Sequence, residues 1–402
     1  MLKALFALPS TVWLLGLVSF LNDLASDLVY PLLPLYLASV LMAGPKALGI
    51  IEGIAEATGS LLKLFAGVLA DKTRSTKYWV VGGYSLAALG RPILALAGSW
   101  PVVLALRFSD RVGKGLRSSP RDAMLALSVA PHQRGLAFGL HRALDNAGAV
   151  AGPLLAAWLL YRGMPIRDIL LWTLVPGVMT VALALCIREP HREMPLHKPA
   201  FSWTLQGFPP VFKRYLVVLA LFTLGNSSNM FLLLRAREMG LAESQVPLLW
   251  ALASGMAMLF STPLSALSDR LGRTRLIVGG WAVYGLFYLL LGLNGHNLWL
   301  LWPLFAFYGL FMAATEGAEK ALVADLAPKE LLGTAYGWFN LTAGVMLLPA
   351  SMLFGWLWQT FSPETAFGFS ASCAILAAVL LKFWVPTQSG PQLASHRKDK
   401  LF

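Results

Sequence analysis

A run of some twenty apolar residues, broken only by glycine, proline or a few charges, leaves a chain few options. Here such runs recur near residues 10–41, 47–70, 78–97, 100–125, 134–161, 168–187, 213–234, 245–268, 274–293, 298–325, 333–360 and 366–386. A bilayer core needs about 20 apolar residues per spanning helix. Inside it every backbone polar group must be satisfied internally, so only helices or closed barrels can cross. The runs are long and lack the short alternation of barrel strands, which predicts an all-α polytopic membrane protein of twelve transmembrane helices. The start, MLKALFALPSTVWLLGLVSF, resembles a signal peptide but continues into LNDLASDLVYPLLPLYL without a cleavage point, so it reads as a retained first helix.

Charge is scarce, 13% of residues, yet the net charge is +12. Lys and Arg fall unevenly: about 21 lie at the termini and in the loops after even-numbered helices, and about 5 in the opposite loops. By the positive-inside rule both termini are expected in the cytoplasm of a multi-pass inner (plasma) membrane protein. The cations are scattered over short loops and not interleaved with aromatics on one face, which argues against nucleic acid as a partner. Cys186 and Cys373 sit inside apolar runs and read as buried packing residues. No metal-ligand cluster, H-E-x-x-H or G-x-S-x-G is present, and GKGLRSS lacks the preceding glycine of a phosphate loop. No metal, cofactor or enzymatic activity is expected.

The chain repeats itself. GVLADKTRS after helix 2 is echoed by SALSDRLGR after helix 8, with Asp71 and Asp269 separated by 269 − 71 = 198 residues. Gly135 and Gly333, and Gly139 and Gly337, share that offset. The polar segment between the sixth and seventh runs divides the chain into a first bundle (1–187), a cytoplasmic linker (188–212), a second bundle (213–388) and a cytoplasmic tail (389–402). Parallel repeats of this kind place a substrate site between the halves near the midplane.

On these features the chain resembles the major facilitator superfamily of secondary transporters over essentially its whole length. The family pattern G-x3-D-(R/K)-x-G-x-(R/K) is met after helix 2 by Gly67, Asp71 and Lys72, with Arg74 where glycine is usual. After helix 8, Asp269, Arg270 and Gly272 are kept, with Ser265 for the first glycine and Arg273 one residue before the last cation position. The resemblance implies a cytoplasmic gate at these residues, with Arg117 emerging beside Asp71. In helix 4, Arg111 and Gly115 match R-x2-Q-G, with Lys114 replacing the glutamine. In helix 5, Gly139, Gly148, Gly152 and Pro153 match the G-x8-G-x3-G-P of proton-antiporting exporters, while Ala156 and Ala157 replace its last glycines. Small residues there allow close helix packing.

Intramembrane charges are costly and mark function or internal balance. They concentrate in the first half: Asp23, Asp27, Glu52, Glu56, Asp110 and Asp145 against Lys63, Arg91, Arg107, Arg111, Lys114 and Arg142. Arg107, Arg111, Lys114 and Arg117 step by three or four along one face of helix 4. Asp23 and Asp27 likewise share a face, an arrangement that suits a proton carrier, with Asp145 as a third candidate. Arg111, Lys114 and Arg142 are expected to bind substrate or balance these acids, and Asn226, Asn229 and Asn340 to line the more neutral second half.

The reading is a monomeric secondary active transporter that moves a small amphipathic organic solute by alternating access, by proton-coupled export. An importer of an anionic metabolite or siderophore-like compound, a lipid flippase, and a membrane-embedded receptor or enzyme stay open as alternatives. The expected partners are substrate, protons and the lipid bilayer.

Overall fold

The computed structural model describes residues 8–72, 76–129, 134–188, 204–328 and 331–385. The helices, labelled here in chain order, are α1 Ser10–Val40, α2 Pro45–Lys72, α3 Thr76–Ile93, α4 Trp100–Leu127, α5 Arg134–Tyr161 and α6 Ile166–Cys186. They continue as α7 Pro210–Glu238, α8 Val246–Leu271, α9 Arg273–Leu293, α10 Leu298–Leu326, α11 Leu332–Thr360 and α12 Pro363–Trp384. Among the described residues, nine segments are long and apolar enough to cross a membrane. The first two helices outside that set, α2 and α4, carry much of the first half's charge, including Glu52, Glu56, Arg107, Arg111 and Lys114. The third, α8, offers only a shorter apolar stretch, Val246–Ser261.

Local sequence explains the boundaries. Ser362 caps α12 by accepting the Thr365 N–H, Pro363 takes the first helical position and Glu364 adds negative charge to the first turn. Gly272 begins α9 at φ +90°, a backbone region that favours glycine. Pro31 interrupts α1: regular helix stops at Val29, resumes over Leu32–Leu35, and widens into a π turn over Tyr36–Val40. The matching place in α7 is also open, between Gly225 and Met230.

Helix pairing repeats between halves. In the first, α1 packs on α5 and α6, and α4 on α2 and α3, while α3 meets α6. In the second, α7 packs on α11 and α12, and α10 on α8 and α9, while α9 meets α12. The halves join mainly through α2 on α11 and α5 on α8, again an exchanged pair. For orientation, the end carrying the turns after even-numbered helices is called the basic end, and its opposite the far end.

The two interiors differ. The second half encloses stacked rings, including Phe222 on Trp281 at 4.2 Å between centroids and Tyr284 on Tyr288 at 4.2 Å. The first half encloses ion pairs. Cys373 is buried as expected; Cys186, expected buried, is exposed at the last residue of α6.

Candidate functional site

Close packing of α1 on α5 assembles the central acidic group. A β-carbon at Gly148 would collide with the Phe20 carbonyl oxygen, and one at Gly152 would lie 2.7 Å from that of Leu24. Only glycine allows this approach, and Pro153 follows directly inside the helix. Gly139 has no described side-chain environment. The tight register brings Asp145, one turn before Gly148, beside Asp23, so the two carboxyl groups adjoin. Two carboxylates in contact repel, and a proton held between them turns repulsion into a hydrogen bond.

Neighbouring polar groups hold this pair. Ser19 donates to Asp145 Oδ1 at 2.5 Å, and Arg121 Nη1 donates to Ser19 at 3.3 Å while pairing with Asp122 at 2.9 Å. Asn22 Nδ2 donates to Asp23 Oδ1 at 2.8 Å. Ser19, Asn22 and Arg121 were not singled out from sequence: Ser and Asn in apolar helices carry weak signal, and Arg121 reads as a surface residue. Asp27 lies apart, with its Oδ1 3.5 Å from the Trp250 Nε1 donor of α8. Asp23 and Asp27 share a helix face but meet different neighbours.

The cationic stripe of α4 is largely internal. Arg107 pairs with Glu52 at 2.7 Å and lies 3.9 Å from Asp110. Asp110 is held at 3.0 Å by Arg91, whose Nη1 donates to the Asn22 carbonyl at 2.9 Å. Arg111 pairs with Glu56 at 3.0 Å. Arg117 lies over the Tyr84 ring at 4.6 Å, buried, with Nη1 unpartnered among the described residues. Lys114 differs from these: it makes no ion pair among the described residues, and it acts electrostatically on several acids, Glu56, Asp23 and Asp27, rather than on one.

Arg142 departs from expectation. Placed by sequence depth among the buried charges, it is 63% exposed and reaches Glu316 of α10 at 3.5 Å. Although Asp145 lies only one turn further along α5, the Arg142 side chain reaches across the gap to the second half. Glu316 also receives Lys320 at 2.9 Å. Asn226 ends the first piece of α7, Asn229 accepts a hydrogen bond from Tyr308, and Asn340 is exposed. Trp281 Nε1 donates to Glu319 at 2.9 Å. In the gate motifs, Gly272 is described, whereas the side chains of Asp71, Lys72, Asp269 and Arg270 and the surroundings of Gly67 lie outside the described residues. No group of three or more metal-ligating side chains occurs among the described residues.

Helices in two matched sets, around buried charge near the seam between them, define a polytopic carrier of small solutes. The model of the Major Facilitator Superfamily matches residues 15–242 and again 215–400, and the chain belongs to that superfamily. An uncharacterized MFS-type transporter of Methanocaldococcus jannaschii is 34% identical over 386 residues, covering 94% of this chain and 95% of the relative. The multidrug resistance protein MdtH of Yersinia enterocolitica is 24% identical over 83% of each chain. The crystal structure of a mutant of the nucleoside transporter NupG superposes with a TM-score of 0.81 at 12% identity, over 92% of this chain and 99% of that one. The protein is therefore a multi-pass transporter of the inner or plasma membrane.

Proposed function

We propose that this transporter exports a small amphipathic organic solute in exchange for protons, by alternating access between its two halves. The observation that carries this reading is the adjoining pair Asp23 and Asp145, flanked by Ser19 and Arg121. A pair that shares a proton at one moment and releases it at another converts a proton gradient into a change of charge at the midplane. Likeness to a multidrug resistance protein supports the outward direction. The domain bounds given above, cytoplasmic termini, a monomeric carrier and a gate at Asp71 and Asp269 complete the proposal. Asp27, Lys114, Arg142 and the asparagines of α7 and α11 would line the solute's route.

Reconstituted in proteoliposomes with an imposed proton gradient, Asp23→Asn and Asp145→Asn are each expected to reduce gradient-driven solute movement at least tenfold. Downhill exchange without a gradient should be retained. Full gradient-driven transport in both variants would end the proton-carrying role. A second reading, uptake of an organic anion, is favoured by one observation: Lys114 lacks an ion-pair partner among its described neighbours. Loss of anion uptake in Lys114→Gln, with no export in the parent protein, would select it.

A further inference from the structure

The repeat that relates the halves also relates two contacts across the seam, near the far end. Glu52 of α2 meets Ser228 of α7, whose hydroxyl donates to Oε2 at 3.3 Å. Trp250 of α8 meets Tyr30 of α1, ring on ring, at 4.9 Å between centroids. Both pairs occupy equivalent positions, since 250 − 52 = 198 and 228 − 30 = 198, the offset already seen between Asp71 and Asp269. Each involves the place where its long odd-numbered helix breaks, Tyr30–Pro31 in α1 and Asn226–Asn229 in α7. The repeat has kept the location of these contacts and changed their chemistry.

Each contact is also tied to a carboxyl group of α1. Trp250 reaches Asp27 directly through Nε1. Glu52 reaches Asp23 through a continuous chain: Arg107 to Glu52, Arg107 to Asp110, Arg91 to Asp110, Arg91 to the Asn22 carbonyl, and Asn22 Nδ2 to Asp23. Around them the seam is narrow. The Ser228 N–H donates to Ser351 Oγ of α11 at 3.2 Å, and a β-carbon at Gly49 would collide with the Ser351 carbonyl oxygen. Glu52 is fully buried, and Ser228 and Ser351 nearly so.

The geometry points to Glu52–Ser228 and Tyr30–Trp250 as twin latches that hold the far end of the transporter shut, each linked to one carboxyl group of α1. Opening the far end must break both, because α1 and α8 part there as α2 and α7 do. The inference rests on the alternating-access part of the proposed function but not on its solute, its ion or its direction.

The test uses the full chain in detergent, with Cys186→Ser to remove the exposed thiol and Ser351→Cys as a reporter buried in the seam. Alkylation of position 351 by N-ethylmaleimide, followed by mass spectrometry, reads the fraction of time the seam is open. Native Cys373, buried between α12 and α7, serves as an internal control because it lies inside the second half. Ser228→Ala, which deletes one hydroxyl and leaves the Arg107–Glu52 pair, is expected to raise labelling at 351 about tenfold. Trp250→Ala should raise it at least as much, and the double variant by the product of the two, with Cys373 unchanged throughout. Labelling at the parent rate in both single variants overturns the inference, and so does an equal rise at 351 and 373, which signals general loosening. Should Trp250→Ala fail to elute as folded protein, Ser228→Ala decides alone. Because no gradient or solute is present, raised labelling in a chain that carries no solute would defeat the export reading and leave the latches standing.

Discussion

The two halves share a helix plan and solve the same packing problem with opposite chemistry. In the first, Glu52, Arg107, Asp110 and Arg91 form a buried chain of ion pairs. In the second, the corresponding volume holds Phe222, Trp281, Tyr284, Tyr288 and Tyr308 in ring contact. Ion pairs in low dielectric repay their desolvation only while every partner is present. Ring packing has no such condition and loses energy in proportion to what is removed. The first half is therefore the one whose internal energy can respond to gain or loss of a single charge. The second is a firm counterpart for it to move against.

Arg107→Met tests that contrast hardest. It leaves Glu52 and Asp110 short of a partner and is expected to lower stability by about 3–5 kcal/mol, read from thermal unfolding in detergent. Glu52→Met combined with Arg107→Met should recover most of the loss, because the paired removal strands no charge. A double variant no better than the single one would break the comparison. Trp281→Phe probes the other interior: the stack on Phe222 survives while the bond to Glu319 is lost. A loss of about 1.5–3 kcal/mol is expected by the same measurement. Arg142→Gln sharpens the boundary between the halves. Its pair with Glu316 is exposed on both sides, so stability should move by less than about 1 kcal/mol, while salt dependence of unfolding declines.

Much of this was legible along the chain. Apolar run length located the helices because lipid removes every alternative for the backbone, and the observed bounds lie within a few residues of the runs. The stepping of Arg107, Arg111, Lys114 and Arg117 was legible for the same reason, since helical period is a local property. The glycines at 148 and 152 were visible as a small-residue face, though not which helix they admit. Partner choice was not readable. Nothing local says that Asp23 turns to Asp145 while Asp27, one turn away, turns to Trp250. Nothing local places Arg142 in the inter-half gap, or Arg121 on the Ser19 that holds Asp145.

By itself, then, the amino-acid sequence determined an all-helical membrane chain of duplicated plan, with most of its intramembrane charge in one half. Those features follow from hydropathy, period and repetition, each of which acts over a few turns of helix. Tertiary structure alone decided which charges cancel, which are left over, and where the halves touch. Such outcomes depend on the rotation of each helix about its own axis, and that angle is set by neighbours remote in sequence. The pairing of Glu52 with Ser228 and of Tyr30 with Trp250 is the clearest case. The repeat offset links the four positions in sequence, but only the closed seam turns them into contacts.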